Sequence, residues 1–181
     1  ARALRWIAAR RPCASWGARS TSAWLSSSTS CRPGGVTASD GLLNTWKQLA
    51  AGRTDVTVKP YKHTAWPQRS VILTIKGTDN PNEIVVLGGH LDSINGSGTT
   101  ETTRAPGADD DASGVASITE IYRTLLANNY KPRRTIKLMA YAAEEVGLRG
   151  SAEIAKSFAA AGTNVVGVMQ LDMTNYRSEE R

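Results

Sequence analysis

The sequence predicts an α/β fold built on a mixed, mostly parallel central sheet flanked by helices. Two observations carry that prediction. Strand-length apolar runs alternate with segments of helical periodicity along residues 38–181, the pattern of strand–helix–strand units. Acidic residues also gather directly after several of the apolar runs, where an open α/β sheet places its ligand-binding edge.

The elements follow in chain order. Leu42, Leu43, Trp46, Leu49 and Ala50 fall on one helical face, with Ser39 or Asp40 as the N-cap and Gly52 as the stop. DVTVKPY (55–61) and SVILTIKG (70–77) read as two strands of a hairpin, joined by a loop containing Pro67. EIVVLGGH (83–90) is continuously apolar and therefore reads as a central strand. GADDDASG (107–114) leads into a helix with Val115, Ile118, Tyr122, Leu125 and Leu126 as its apolar stripe. TIKLMAYAA (135–143) reads as a buried strand, residues 151–160 as a short helix, and NVVGVMQLDM (164–173) as another buried strand. The chain stops at Arg181, soon after a strand that reads as central, so the domain is expected to be truncated at its C-terminal side.

Charge divides the chain in two. The net charge is +6, but residues 1–37 hold six arginines, no lysine and no acid. The other 16 basic residues equal the 16 acidic ones. The body is formally neutral and carries no basic stripe for nucleic acid and no polybasic membrane patch. Its apolar runs are strand-sized, too short for a transmembrane helix.

Residues 1–37 also contain both cysteines, Cys13 and Cys31, and the polar run SSSTS. They are expected to be a disordered segment foreign to the domain of residues 38–181, with an organellar transit peptide as the alternative. Arg10 and Arg11 interrupt the one candidate apolar core, so no secretory signal peptide is visible. The domain has no disulfide of its own.

The chemistry lies at the strand ends. His90 and Asp92 follow the third strand, Asp109, Asp110 and Asp111 enter a helix, Glu144 and Glu145 follow the fourth strand, and Asp172 ends the fifth. Taken singly, each has an ordinary reading. A DDDASG run is commonly an N-cap, and paired glutamates are commonly solvated. Taken together, four segments deliver acids to one edge with too few Lys or Arg to neutralise them. A metal is the simplest counter-charge. One imidazole among carboxylates suits zinc, or less specifically manganese or cobalt.

GGHLDS (88–93), APGADDDASG (105–114), AYAAEEVGLRGS (140–151) and VMQLDMTNY (168–176) resemble, in order and spacing, the motifs of the bacterial leucyl aminopeptidases with two co-catalytic zincs. The resemblance covers roughly residues 38–181 and excludes 1–37. It implies a zinc-exopeptidase-like fold and hydrolysis of the N-terminal peptide bond of peptides and proteins by two Zn2+ ions. It implies His90 and Asp172 on the first zinc, Asp110 bridging, Glu145 on the second, and Glu144 as general base and acid. Asp92 matches the carboxylate that orients the ligand histidine. The family also has a cis peptide after the bridging aspartate, here Asp110–Asp111.

The family's fifth ligand, a downstream histidine, is absent. His63, in YKHTAWPQ, is expected on a surface loop and not at the metal. This chain alone is therefore expected to be impaired. Peptides with a free N-terminus would be the partners, and an extracellular location follows from the resemblance only. Asn95-Gly96-Ser97 matches a glycosylation acceptor but reads as a polar loop. Two alternatives stand beside the aminopeptidase: a single-zinc enzyme like the glutaminyl cyclases, and a non-catalytic remnant of the fold.

Overall fold

The computed structural model describes residues 33–96 and 105–175. The expectations for residues 1–32, Cys13 and Cys31 among them, lie outside the described residues, as does Ser97 of the glycosylation motif. The described residues form eight elements: α1 (Pro33–Leu49), β1 (Val56–Tyr61), β2 (Ser70–Ile75), β3 (Asn80–His90), α2 (Ala112–Ala127), β4 (Arg134–Tyr141), α3 (Arg149–Ala160) and β5 (Asn164–Gln170).

The strands form one sheet in the order β1-β2-β4-β3-β5. β1 and β2 are the expected antiparallel hairpin, and β2 pairs antiparallel with β4. β3 runs parallel to both β4 and β5. Parallel pairing sends the C-terminal ends of three strands to the same edge, and register fixes the heights. His90 pairs with Tyr141, and Gly88 with Gln170.

Helices cover both faces. Side chains alternate across a strand, so Leu138 and Ala140 of β4 join one core with Trp46, Val115, Ile118 and Tyr122. Met139 and Tyr141 join the other, with Val86 and Ile154 of α3. β4 is buried on both faces from Leu138 to Tyr141, which explains the apolar run that ends it. Trp46 Nε1 donates to Thr119 Oγ1 at 3.0 Å and ties α1 to α2.

Two sequence expectations are corrected. α1 begins at Pro33, so Ser39 and Asp40 lie inside the helix and cap nothing at its start. Proline suits a first helical turn because its missing N–H would have had no partner there. Ser39 is instead buried, and its hydroxyl donates to the Arg69 carbonyl at 2.8 Å. The boundary drawn at residue 38 thus falls within this helix. The second correction concerns β5, expected to be buried. Val166, Val168 and Met169 are all exposed. Among the described residues β5 pairs only with β3, and it forms the sheet's edge.

Candidate metal centre

Three strand ends and one helix start build the site. β3 ends on His90, which is 1% exposed. Its ring Nδ1 lies 2.9 Å from the Asp92 carbonyl oxygen, which accepts from it. The ring's orientation is therefore fixed by the main chain of Asp92. That residue's carboxylate, expected to do this, lies farther from the ring, at 3.8 Å. On the other side, His90 Nε2 faces three acids: Asp110 Oδ1 at 2.9 Å, Asp172 Oδ2 at 3.8 Å and Glu144 Oε2 at 3.9 Å.

The aspartate triplet divides its work. Asp111 is the N-cap of α2, and its side chain accepts from Gly114 N at 2.9 Å. Its second oxygen accepts from His90 N, also at 2.9 Å. It is 1% exposed. A Cβ on Gly114 would collide with this carboxylate, which accounts for the glycine three residues on. Asp110 instead presents a half-exposed carboxylate to His90. The N-cap reading of DDDASG thus holds for Asp111, while its neighbour faces the site. The peptide between them is cis.

β4 stops at Tyr141 rather than 143, because the chain turns: Ala143 has φ +57° and Gly147 φ +103°. Arg149 N and Gly150 N close the turn onto the carbonyls of Ala143 and Ala142 at 2.9 and 3.1 Å. A Cβ on Gly150 would strike the Ala142 carbonyl, so only glycine allows this approach. The turn presents Glu144 and Glu145. The Asp92 carboxylate accepts from Glu144 N at 3.0 Å and Glu145 N at 3.1 Å. Arg149, the cation nearest in sequence, donates to the Val146 carbonyl and stacks on Trp66.

His63 lies in the loop between β1 and β2, as expected, but its side chain is turned inward. Its side chain is 1% exposed. Nδ1 lies 2.9 Å from Glu153 Oε2 and Nε2 lies 2.7 Å from Ser70 Oγ. Both nitrogens are engaged, so it offers no donor to a cation. The loop of polar residues around it gave no periodicity from which burial could be read.

The electrostatics have one sign. Burial alone would lower the His90 pKa, but the Asp92, Asp111 and Glu144 carboxylates outweigh it and push His90 up to about 10. Burial pushes the Asp111 carboxyl up to about 6, against the hydrogen bonds from His90 and Gly114. Burial likewise raises Glu144 and Glu145, and neighbouring carboxylates add to it. Among the described residues no Lys or Arg pairs with Asp110, Glu144, Glu145 or Asp172. The clustered carboxylates attract positive charge.

The donor set fits a metal ion. His90, Asp110 and Glu145 bring one ligand atom each within 4.8 Å of one another, and so do His90, Asp111 and Asp172. One buried imidazole with carboxylate oxygens is a zinc-type donor set. Of the sequence-predicted site residues, His90, Asp110, Glu145 and Asp172 all reach these groups. Glu144 stands beside them, and Asp92 supports the turn.

Residues 70–181 match the model of peptidase family M28. The chain is 40% identical over 149 residues to Leucine aminopeptidase 1 of Fusarium vanettenii, covering 78% of this chain and 37% of that protein. Its fold superposes on the LapA aminopeptidase of Legionella pneumophila with a TM-score of 0.74 at 33% identity, covering 85% of this chain and 39% of LapA. A glutaminyl cyclase from an Acidobacteriales bacterium gives a TM-score of 0.62 at 20% identity, covering 84% of this chain and 56% of that one, a likeness of fold alone. The chain thus spans well under half the length of the aminopeptidases it matches. Sequence motifs, sheet topology and site geometry agree that this chain belongs to peptidase family M28.

Proposed function

We propose that the domain of residues 38–181 carries the metal site of an aminopeptidase that cleaves the N-terminal peptide bond of peptides and proteins. The observation that carries this reading is the convergence of His90, Asp110, Glu145 and Asp172, with Glu144 beside them and no Lys or Arg paired to any of the four acids among the described residues. His90, Asp110 and Asp172 would hold a first Zn2+, and Asp110 and Glu145 would hold a second.

Bound zinc supplies electrophilic activation of the scissile carbonyl. The chain's own residues do the rest. Asp92 holds the Glu144–Glu145 turn through two amides. Glu144 is partly exposed and has no Lys or Arg partner among the described residues. Its carboxyl pKa is raised by burial and by Asp92, Asp172 and Asp110, against the opposing pull of His90, the direction that favours proton uptake by a base. Glu144 Oε2 accepts the proton of the attacking water and returns it to the leaving amine. The adjacent glutamates thereby take different tasks, one holding metal and one moving a proton.

A free peptide N-terminus is the substrate feature suggested by the names of the relatives. An extracellular location rests on the resemblance alone. No helix among the described residues is long and apolar enough to cross a membrane. Residues 1–37 are proposed to add nothing to the site. The glutaminyl-cyclase alternative is supported by a likeness of fold only.

The test is calorimetric titration of the 181-residue chain with ZnCl2, followed by assays for amine release from a leucyl chromogenic substrate and for cyclisation of an N-terminal glutaminyl peptide. Among the described residues the first site has three protein donors and the second has Asp110 and Glu145, since His63 is engaged elsewhere. One zinc should bind well before the second. No zinc binding below millimolar concentration would overturn the reading, and cyclisation without amine release would replace it with the alternative.

A further inference from the structure

Four consecutive backbone amides leave β4 and enter the glutamate turn, and each donates to a side chain rather than to the main chain. Ala142 N donates to Ser70 Oγ at 2.9 Å, Ala143 N to Gln68 Oε1 at 3.4 Å, Glu144 N to Asp92 Oδ1 at 3.0 Å and Glu145 N to Asp92 Oδ2 at 3.1 Å. A strand that departs from its sheet normally loses these bonds to water. Here two side chains preceding or opening β2 and one following β3 replace them. Ser70 and Gln68 are 0% and 3% exposed.

The Ser70 hydroxyl is oriented from farther away. Its oxygen accepts from Ala142 N, so its hydrogen is free to point elsewhere, and His63 Nε2 stands 2.7 Å away. With Nε2 accepting, the ring proton sits on Nδ1, where Glu153 Oε2 accepts it at 2.9 Å. The same Glu153 carboxylate accepts from Thr64 N at 3.0 Å and from Thr64 Oγ1 at 2.7 Å. The donors run in one direction, Ala142 N–H to Ser70, Ser70 O–H to His63, His63 N–H to Glu153. Such a chain fixes each rotor and tautomer in turn.

We propose that Glu153, His63 and Ser70 form a relay of positioning residues that locks the backbone of the Glu144–Glu145 turn, and through it the placement of the metal-holding and proton-moving carboxylates. The inference rests on the metal-site reading above. None of the three touches the site. Ala142 N donates to Ser70 Oγ, and the Ala142 carbonyl accepts from Gly150 N at 3.1 Å, so both backbone polar groups at the start of the turn are held. Its start is a left-handed Ala143, a conformation that persists only where surroundings enforce it.

The test uses the 181-residue chain with Ser70→Ala, Glu153→Ala and Glu153→Gln. Amide exchange is read residue by residue by NMR, and Zn2+ affinity by calorimetry. Glu153 is at the surface end of the relay, so its variants keep the fold. Ser70→Ala should speed exchange at residues 142–145 by about tenfold or more relative to Leu138 in the same strand. It should weaken Zn2+ binding by about 10–100-fold, the scale for groups that orient metal ligands. Glu153→Ala should shift both in the same direction by less, and Glu153→Gln, which keeps an acceptor oxygen, should restore them. Uniform loss of protection across β2 and β4 with unchanged zinc affinity would overturn the proposal and leave the relay a structural contact. If the parent chain binds no zinc, the metal reading fails. Exchange at 142–145, which needs no metal, then decides the relay on its own.

Discussion

Asp92 Oδ1 accepts a hydrogen bond from Glu144 N at 3.0 Å, and its other oxygen takes the next amide, Glu145 N, at 3.1 Å. One carboxylate thus grips both glutamates by the backbone and leaves their side chains free for the site. Asp92→Asn keeps one acceptor oxygen and sets an N–H2 group against the second amide. This should cost about 1–3 kcal/mol, the scale of a buried donor left unmade. Zn2+ affinity should fall by about 10–100-fold. Thermal melts and calorimetry check both. Unchanged zinc affinity would show that the grip matters to folding alone.

Glu144 and Glu145 should separate in their effects. In an active form of the enzyme, Glu144→Ala should keep its metal content while kcat falls by about 10²–10⁴-fold, the usual loss on removing a general base. Glu145→Ala should lose the more weakly held zinc. Elemental analysis beside steady-state kinetics distinguishes them. Zinc lost on Glu144→Ala would make that residue a ligand.

Asp110 and Asp111 are neighbours with different surroundings. Asp111 caps α2 and accepts from His90 N while fully buried. Asp111→Ala should therefore destabilise the chain by about 1–3 kcal/mol, even without metal. Asp110 is about half exposed, and among the described residues its side chain bonds to His90 alone. Asp110→Asn should leave the melting temperature of the metal-free protein nearly unchanged and abolish tight zinc binding. If Asp110→Asn retains zinc and Asp111→Asn does not, the bridging role moves to Asp111.

Much of this arrangement was legible in the sequence, and the reason is local. His90, Glu144 and Asp172 follow apolar runs that parallel pairing must bring to one edge, so strand order hardly matters to their convergence. Asp111 was legible as a cap and Asp110 as a ligand only by resemblance, because composition does not separate adjacent aspartates. The relay was not legible. His63, Ser70 and Glu153 meet across separations of 7 and 90 residues, through a loop with no period. The exposure of β5 was missed for a related reason. An apolar strand reports that something should cover it, and its sequence is the same whether or not a neighbour is present.

The far end of the sheet offers a test free of the metal site. Arg53 Nε and Nη2 each donate to the Asp55 carboxylate at 2.7 Å, and Lys131 Nζ lies 3.2 Å from it. Arg53 Nη2 also donates to the Tyr130 carbonyl at 3.1 Å, so the pair ties the start of β1 to the α2–β4 connection. The Arg53 hydrogen bonds outweigh burial and hold the Asp55 carboxyl well below its ordinary 3.8. A depressed carboxyl stabilises the fold at every pH above its unfolded value. That stabilisation is lost as pH falls toward the folded value, because the unfolded chain takes up the proton first. Asp55→Asn should therefore cost about 1–3 kcal/mol at neutral pH, the range for a charge-assisted bond. The gap between the parent and Asp55→Asn melting temperatures should be flat above about pH 5 and narrow steadily below about pH 4. The two side chains are 13% and 20% exposed, so added salt should screen the pair only in part. A gap that stays constant down to about pH 2 would show that Asp55 contributes through shape rather than charge.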